Sequence, residues 1–118
     1  MASVCIILRK PPYGSVDAAE AIRHALGGAT TEDVRTSLIL VDGGVNAARR
    51  AQDSSGTSYM SLAEGIRDSI DMGAEVYADK SSLKDEFIEQ ASLVDGVRVV
   101  NGSEIAGIIA ASDVTMIF

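Results

Sequence analysis

The chain has 118 residues, of which 47% are hydrophobic and 23% are charged, a balance typical of a globular domain and not of a disordered segment. Its formal net charge is −7 with only ten lysines and arginines, which excludes direct binding to nucleic acid or to an anionic membrane. Aromatic residues make up 4% and tryptophan is absent, so stacking platforms for single-stranded nucleic acid are not expected.

The apolar segments and the cysteine count limit the cellular setting. The single cysteine, Cys5, excludes an internal disulfide and a cysteine-rich metal site. The apolar run at residues 4–8 is too short for a signal peptide, and Arg9 and Lys10 follow it instead of preceding it. No segment approaches the ~18 apolar residues of a membrane span. We therefore expect one domain over residues 1–118, located in the cytoplasm.

The first half of the chain predicts two buried strands, each followed by a helix. The continuous apolar run at residues 4–8 indicates a strand buried on both faces, and two prolines stop it. Ser15 is the candidate N-cap of the helix that follows, which two glycines at residues 27–28 end. A second strand at residues 37–41 precedes a short helix at 45–51. The composition of residues 52–58 predicts a flexible surface loop.

The second half continues the alternation of strands and helices. Strands are predicted at residues 75–78, 97–100 and 114–118. Capping boxes, in which a polar residue is followed three positions later by an acid, predict helix starts at Ser61, Ser82 and Asn101. In the helix that begins at Ser82, Leu83, Phe87 and Ile88 form the apolar side.

This order of elements predicts an α/β fold. Strands that alternate with helices form a parallel sheet with helices on both faces, which gives a three-layer α/β/α arrangement around five mainly parallel strands. For five strands we expect the flavodoxin-like order 2-1-3-4-5. In that order, a crevice opens between strands one and three, beyond their carboxyl ends.

The loops after strands one and three would line this crevice. The candidate ligand-binding residues are Arg9, Lys10, Tyr13, Gly14, Ser15, Asp79, Lys80, Ser81 and Ser82. Both loops lead into helix N-termini, whose free N–H groups favour anions, and the cationic side chains add positive charge. A structural role explains the same pattern equally well, since Ser15 and Ser82 are good helix caps and loop charges are usually solvated.

Other catalytic patterns are weak. The only histidine, His24, falls on the polar face of the first helix, and no partner residues for a metal are evident. Hydrolytic or transfer chemistry through Ser81 or Ser82 with Asp79 ranks lowest, because no histidine lies nearby in sequence and no GxSxG motif occurs. We therefore predict no catalytic residue, no metal and no cofactor.

Three stretches together resemble the DsrE/DsrF-like family. "VCIILRKPPYGSVDAAEAIRHAL" is similar to that family's first strand, PYG turn and helix, and "LILVDGGVNAARRAQ" to its second strand and short helix. "LVDGVRVVNGSEIAGIIAASDVTMIF" is similar to its usual ending, a strand, a helix and a terminal strand. The match covers almost the whole chain, and the order and spacing of the motifs are more specific than any one of them.

The resemblance implies a DsrE-like fold over residues 1–118, sulfur-relay chemistry, and small oligomers, usually trimers or hexamers, built from one subunit or from paralogous ones. Active members of the family carry a persulfide on a cysteine just after the third strand. Asp79, Lys80, Ser81 and Ser82 occupy that position here, and none is a cysteine. A hydroxyl cannot replace the sulfur nucleophile.

Two hypotheses of different classes follow. The first is an oligomeric accessory or structural component of intracellular sulfur relay, which lacks the persulfide cysteine and resembles the cysteine-free TusC/DsrF-like subunits. The alternative is a regulatory module that binds a small ligand or anion at the crevice between strands one and three.

Overall fold

Five parallel strands form the centre of the molecule, whose computed structural model describes residues 1–52 and 61–118. The strands are β1 Ala2–Leu8, β2 Val34–Leu40, β3 Glu75–Asp79, β4 Arg98–Val100 and β5 Val114–Ile117. Every pair of neighbouring strands is parallel. The five predicted strands are therefore confirmed, although β2 begins three residues before its apolar run, because Val34 pairs with Ala2 of β1.

Helices follow each of the first four strands. They are α1 Asp17–Ala29, α2 Leu62–Asp71, α3 Lys80–Asp85 and α4 Gly102–Ala111, with short 3₁₀ helices at Asp42–Ala48 and Gln90–Ser92. The short helix expected at residues 45–51 is thus a 3₁₀ helix that starts directly after β2. Of the loop expected at residues 52–58, residues 53–58 lie outside the described part of the chain. None of the described helices is long and apolar enough to cross a membrane.

The sheet has the strand order β4-β3-β2-β1-β5, so the expected order 2-1-3-4-5 is wrong. The first three connections step in one direction across the sheet, and the connection from β4 returns to the far side of β1. Because such connections are right-handed, the reversal places α4 on the face opposite α1 and α2. The three-layer α/β/α architecture is therefore confirmed, but β1 and β3 are separated by β2.

Two apolar cores lie on the two faces of the sheet. The larger core, between the sheet and helices α1 and α2, contains Ile6, Leu8, Leu38, Leu40 and Ile66, all fully buried. The smaller core, beneath α4, contains Cys5, Ile39, Tyr77, Val100 and Ile105. Alternate residues of β1 and β2 enter opposite cores, which explains their continuous apolar runs. The single helix α4 therefore has to cover a whole face of the sheet.

Helix starts agree with the predicted caps only in part. Asn101 and Glu104 form the expected capping box of α4. Ser61 occupies the N-cap position of α2, but its side chain makes no capping hydrogen bond. Helix α1 begins at Asp17 with Val16 as its N-cap, so the cap predicted at Ser15 is wrong. The Ser15 hydroxyl only accepts a long hydrogen bond, 3.4 Å, from the Asp17 N–H.

The helix after β3 is shorter than its apolar pattern suggested. Helix α3 ends at Asp85, and Phe87 follows with a positive φ of 56° and 92% exposure. Leu83 and Ile88 are buried as expected, but the placement of Phe87 on the same apolar side is wrong. The left-handed backbone at Phe87 redirects the chain, so that Ile88 reaches the core while the phenyl ring points to solvent.

Candidate functional site

The carboxyl ends of β1, β2 and β3 lie side by side at one edge of the sheet. Because β2 pairs with both β1 and β3, the segment that follows it separates the two loops of the predicted crevice. Gly43 of this segment lies against Pro11, and the Asp42 N–H donates to the Ser82 hydroxyl at 2.8 Å. The single crevice predicted between strands one and three is therefore replaced by two separate clusters.

The first cluster joins the end of β3 to the turn after β2. Asp79 is the N-cap of α3, and its carboxylate accepts hydrogen bonds from both the N–H (3.2 Å) and the hydroxyl (2.6 Å) of Ser82. The same hydroxyl accepts from the N–H of Asp42, whose φ is +50°. Ser82 is therefore not the N-cap that its capping box suggested: it lies inside α3, where it links two loops.

This arrangement is structural in character. Ser82 is only 5% exposed, and its hydroxyl is held by hydrogen bonds on both sides, so it is a poorly accessible nucleophile. Lys80 and Ser81 are exposed on the first turn of α3. Ligand binding by these residues remains a prediction, but Asp79 and Ser82 already have a role in the fold.

The second cluster surrounds Tyr13, whose φ is +65°. The Tyr13 hydroxyl donates to Gln52 Oε1 at 2.6 Å and accepts from the Leu62 N–H at 3.3 Å. It thereby satisfies one of the free N–H groups at the start of α2. Gly14, with a φ of +84°, completes the left-handed turn that directs the tyrosine inwards.

A shallow pocket of about 300 Å³ opens beside Tyr13. Its other described lining residues are Pro11, Pro12, Asn46, Arg49, Ala51 and Gln52. Asp79, Lys80, Ser81 and Ser82 do not line it. Arg9 and Lys10 are exposed, and the backbone N–H of Arg9 donates to the carbonyl of Phe118 at 2.8 Å. The structure thus brings Tyr13 together with residues that follow β2 and not with the loop after β3.

A larger groove of about 520 Å³ lies on the other face, between α4 and the sheet. Its floor is formed by side chains two residues apart on three strands: Arg35 and Ser37, Glu75 and Tyr77, and Arg98 and Val100. Residues two apart on a strand face the same side, so all six point towards α4. Sequence reasoning missed this groove, although polar residues at i and i+2 in two neighbouring strands, Arg35 with Ser37 and Glu75 with Tyr77, were a signal.

Charged side chains form a row across the groove floor. Arg35 Nη2 lies 3.0 Å from Glu75 Oε1 and 3.1 Å from Oε2, and the Tyr77 hydroxyl donates to Glu75 Oε2 at 2.6 Å. The hydrogen bond from Tyr77, followed by that from Arg35, lowers the pKa of Glu75. Burial, followed by the hydrogen bond to Glu75, raises the pKa of Tyr77. Glu75 therefore remains ionised and Tyr77 protonated around neutral pH.

Cys5 lies in the middle of β1 and is fully buried beneath α4. Burial raises the pKa of its thiol, so the reactive thiolate is disfavoured. Cys5 is also far in sequence from Asp79, the residue that ends β3. Within residues 1–52 and 61–118, no group of three or more His, Cys, Asp or Glu side chains is arranged to hold a metal ion.

Comparisons with known proteins agree with this architecture. The YchN protein from E. coli is 22% identical over 100% of both chains with a TM-score of 0.92. MTH1491, a protein of unknown function from Methanobacterium thermoautotrophicum, is 19% identical over 100% of both chains with a TM-score of 0.76. BT1422 from Bacteroides thetaiotaomicron is 12% identical over 98% of this chain and 94% of its own, with a TM-score of 0.70. At these identities, the likeness establishes the fold.

A search of curated protein sequences finds no significant match. A family model, by contrast, covers nearly the whole sequence: that of the DsrE/DsrF-like family matches residues 2–118. Together with the five-stranded parallel sheet, this match shows that the chain belongs to the DsrE/DsrF-like family.

Proposed function

We propose that this protein is an accessory or structural component of an intracellular sulfur relay and does not itself carry persulfide sulfur. Membership of the DsrE/DsrF-like family supports a sulfur-relay setting. The observation that carries the proposal is at the end of β3, where the family's carrier cysteine is expected. Asp79 occupies that place, and its carboxylate is hydrogen-bonded to Ser82.

The chemistry of persulfide transfer supports this assignment. A carrier must expose a thiolate that attacks the sulfur donor and then presents the terminal sulfur to an acceptor. The sole cysteine, Cys5, is 0% exposed, and burial raises the pKa of its thiol. The exposed residues near the end of β3, Lys80 and Ser81, have no sulfur to offer. The role that remains within a relay is to build or hold an assembly.

A sulfur-loading experiment tests the proposal. The native protein, incubated with inorganic polysulfide and measured by intact-protein mass spectrometry, should gain no sulfur. The variant Ser81→Cys adds an exposed thiol at the start of α3 and serves as the positive control. It should gain sulfur, which would show that the assay detects a persulfide at this position. Sulfur gained by the native protein, lost in Cys5→Ala and transferable to an acceptor thiol, would overturn the proposal.

We further propose that the chain acts as a homo-oligomer, a trimer or hexamer, with paralogous subunits as possible partners. Apolar surface supports this. Helix α4 has the sequence GSEIAGIIAA, yet Ile105 is its only buried residue. Ile117 of the edge strand β5 is 63% exposed on the same face of the sheet, whereas Val114, which is 53% exposed, lies on the opposite face. Exposed apolar side chains on an edge strand and on the helix that covers the same face are typical of a protein–protein interface.

Light scattering at micromolar concentration tests the assembly. The native protein should have a mass three or six times the chain mass of 12.3 kDa. Ile117→Lys should dissociate it, because a charge would be buried in the interface. Val16→Lys, at a residue 70% exposed before α1, is the matched control and should leave the mass unchanged. A monomeric mass for the native protein would contradict the proposal.

A further inference from the structure

The groove between α4 and the sheet has the size and the lining of a small-molecule site. Its volume of about 520 Å³ falls within the roughly 300–1,000 Å³ of typical ligand pockets. One wall is apolar and comes from three α4 residues, Gly107, Ile108 and Ala111. The floor carries the row of charges on β2, β3 and β4. An apolar wall that faces a few fixed polar groups suits an amphipathic ligand.

Among the described residues, Arg98 forms no ion pair, although its charge contributes to the lowered pKa of Glu75. Arg35 is paired with Glu75, whose carboxylate also accepts from Tyr77. The guanidinium carbon of Arg98 lies 5.7 Å from the centre of the Tyr77 ring, and in the described part of the chain the group makes no hydrogen bond or ion pair. Its N–H donors therefore remain available, and the ring beneath restricts where they point.

Ser37 supplies a second, independent observation. The residue is only 7% exposed and lines the groove, and its hydroxyl, which has no hydrogen-bond partner among the described residues, is accessible to solvent there. Because the fold leaves its donor and acceptor to solvent, this hydroxyl can hydrogen-bond a ligand in the groove in place of water. On the sheet, Ser37 pairs in register with Glu75, and Tyr77 pairs with Arg98, so the hydroxyl and the guanidinium belong to the same floor.

We propose that this groove binds a small monocarboxylate with an apolar body. The carboxylate accepts a bidentate hydrogen bond from Arg98, a geometry that the planar guanidinium favours. A polar atom of the ligand pairs with the Ser37 hydroxyl, and its apolar body lies against the α4 wall. The lining carries two cations, Arg35 and Arg98, and two carboxylates, Glu75 and Glu104, so a monoanion meets less repulsion there than a dianion.

Gly107 gives a way to close the groove without disturbing the fold. A Cβ built at this position meets nothing within 4 Å, so a larger side chain has room to enter the groove. Replacing a helical glycine also favours the helix. Gly107→Leu therefore blocks the site, whereas Arg98→Gln removes its charge. Arg67→Gln, at an exposed arginine of α2, is the matched control for the loss of one positive charge.

The experiment is an NMR titration of the isotopically labelled native protein at low salt. The probes are hexanoate, hexylamine of equal length and opposite charge, and inorganic phosphate. Hexanoate should shift the backbone amides of Ser37, Tyr77 and Arg98 in a saturable way. Arg98→Gln and Gly107→Leu should each weaken this binding at least about tenfold, and Arg67→Gln should not.

The other outcomes count against the proposal. Equal shifts with hexylamine would mean that the apolar wall alone binds the ligand. Saturable binding of phosphate, with no binding of hexanoate, would mean that the groove selects a different class of anion. If Arg67→Gln weakened hexanoate binding as much as Arg98→Gln, the loss would reflect only the change in the net charge of the protein. No saturable shift of these amides with hexanoate would show that the groove does not bind carboxylates. Spectra of each variant, recorded without ligand, separate a binding defect from a folding defect.

Discussion

The carboxyl-end loops and the α4 groove use their polar residues in opposite ways. At the carboxyl end, Asp79, Ser82 and Tyr13 are hydrogen-bonded within the protein, and the bonds of Ser82 with Asp42 and of Tyr13 with Leu62 each link two segments of the fold. In the groove, Arg98 and the Ser37 hydroxyl have no hydrogen-bond partner in the described part of the chain. The loops that look most like a site in the sequence hold the chain together, whereas the strands present unpaired groups to solvent.

The comparison shows how polar residues of the same kind acquire different roles. A polar group that caps a helix or supports a left-handed turn uses its donors and acceptors in hydrogen bonds that stabilise the fold. A polar side chain on the face of a sheet is not needed as a partner for backbone N–H and C=O groups, because these groups already pair with the neighbouring strands. Ligand binding at this protein is therefore expected where the fold needs the side chains least.

The largest expected change in stability concerns the close packing of the carboxyl-end loops. A Cβ at Gly44 would overlap the backbone carbonyl of Leu8, which cannot move without breaking β1. Gly44→Ala should lower the free energy of unfolding by about 3 kcal/mol or more, measured by urea denaturation. Gly107→Ala in the α4 groove, where the added carbon meets nothing, should instead leave stability unchanged or raise it by up to ~1 kcal/mol. Equal urea midpoints for both variants would contradict the contrast.

The next effect tests whether Asp79 and Ser82 act as one unit. Asp79→Ala removes the N-cap of α3 and an acceptor of the Ser82 hydroxyl, and should cost about 2 kcal/mol. Ser82→Ala should cost about 1–2 kcal/mol, because the Asp42 N–H also loses its partner. The double variant should cost less than the sum by at least ~0.5 kcal/mol. Strict additivity would show that the two residues stabilise the protein independently.

The exposed Asp85 supplies the control for this pair. It lies at the other end of α3, so Asp85→Ala should change the stability by no more than about 0.5 kcal/mol in urea denaturation. A loss as large as that of Asp79→Ala would mean that any acid in this short helix is needed.

The sequence was sufficient to predict the strands, the helix layers and the α4 capping box, because each depends on local periodicity and spacing. It was insufficient for the strand order. Once β1 and β2 have paired, β3 can add to either edge of the pair, and its local sequence does not decide whether β1 or β2 becomes its neighbour. That choice moved β2 between β1 and β3, and it divided the predicted crevice into two clusters.

The residues of the groove were harder to predict for a related reason. Arg35, Glu75 and Arg98 lie near the starts of their strands, where charged residues commonly mark the change from loop to sheet. Only the parallel register places them in one row, and only the position of α4 leaves that row uncovered. Ser82 shows the converse: its sequence pattern fits a cap, but the true N-cap, Asp79, lies three residues earlier.

A smaller effect concerns the tyrosine that supports the start of α2. Tyr13→Phe keeps the ring but removes the hydroxyl that accepts from the Leu62 N–H and donates to Gln52. The variant should lose about 1 kcal/mol of stability, and the amide of Leu62 should exchange with solvent hydrogen faster than in the native protein. Unchanged exchange at Leu62 would show that another group satisfies this N–H.

The smallest effect concerns the charges of the groove. The Tyr77 hydrogen bond is the main cause that lowers the pKa of Glu75, so Tyr77→Phe should raise that pKa towards its usual value. A carboxylate with a lowered pKa in the folded state stabilises the protein above its unfolded pKa and loses this contribution as the pH falls through the folded value. Tyr77→Phe should therefore be less stable than the native protein near neutral pH, by less than about 1 kcal/mol, and the difference should shrink as the pH falls through the folded pKa of Glu75. NMR titration of the glutamate carboxyl carbons measures the pKa directly.

Glu20, whose pKa is lowered mainly by its hydrogen bond from Arg23 on α1, is the internal control, and its pKa should not shift. An unchanged pKa of Glu75 would mean that Arg35 alone fixes its charge and that the groove floor is a simple surface ion pair.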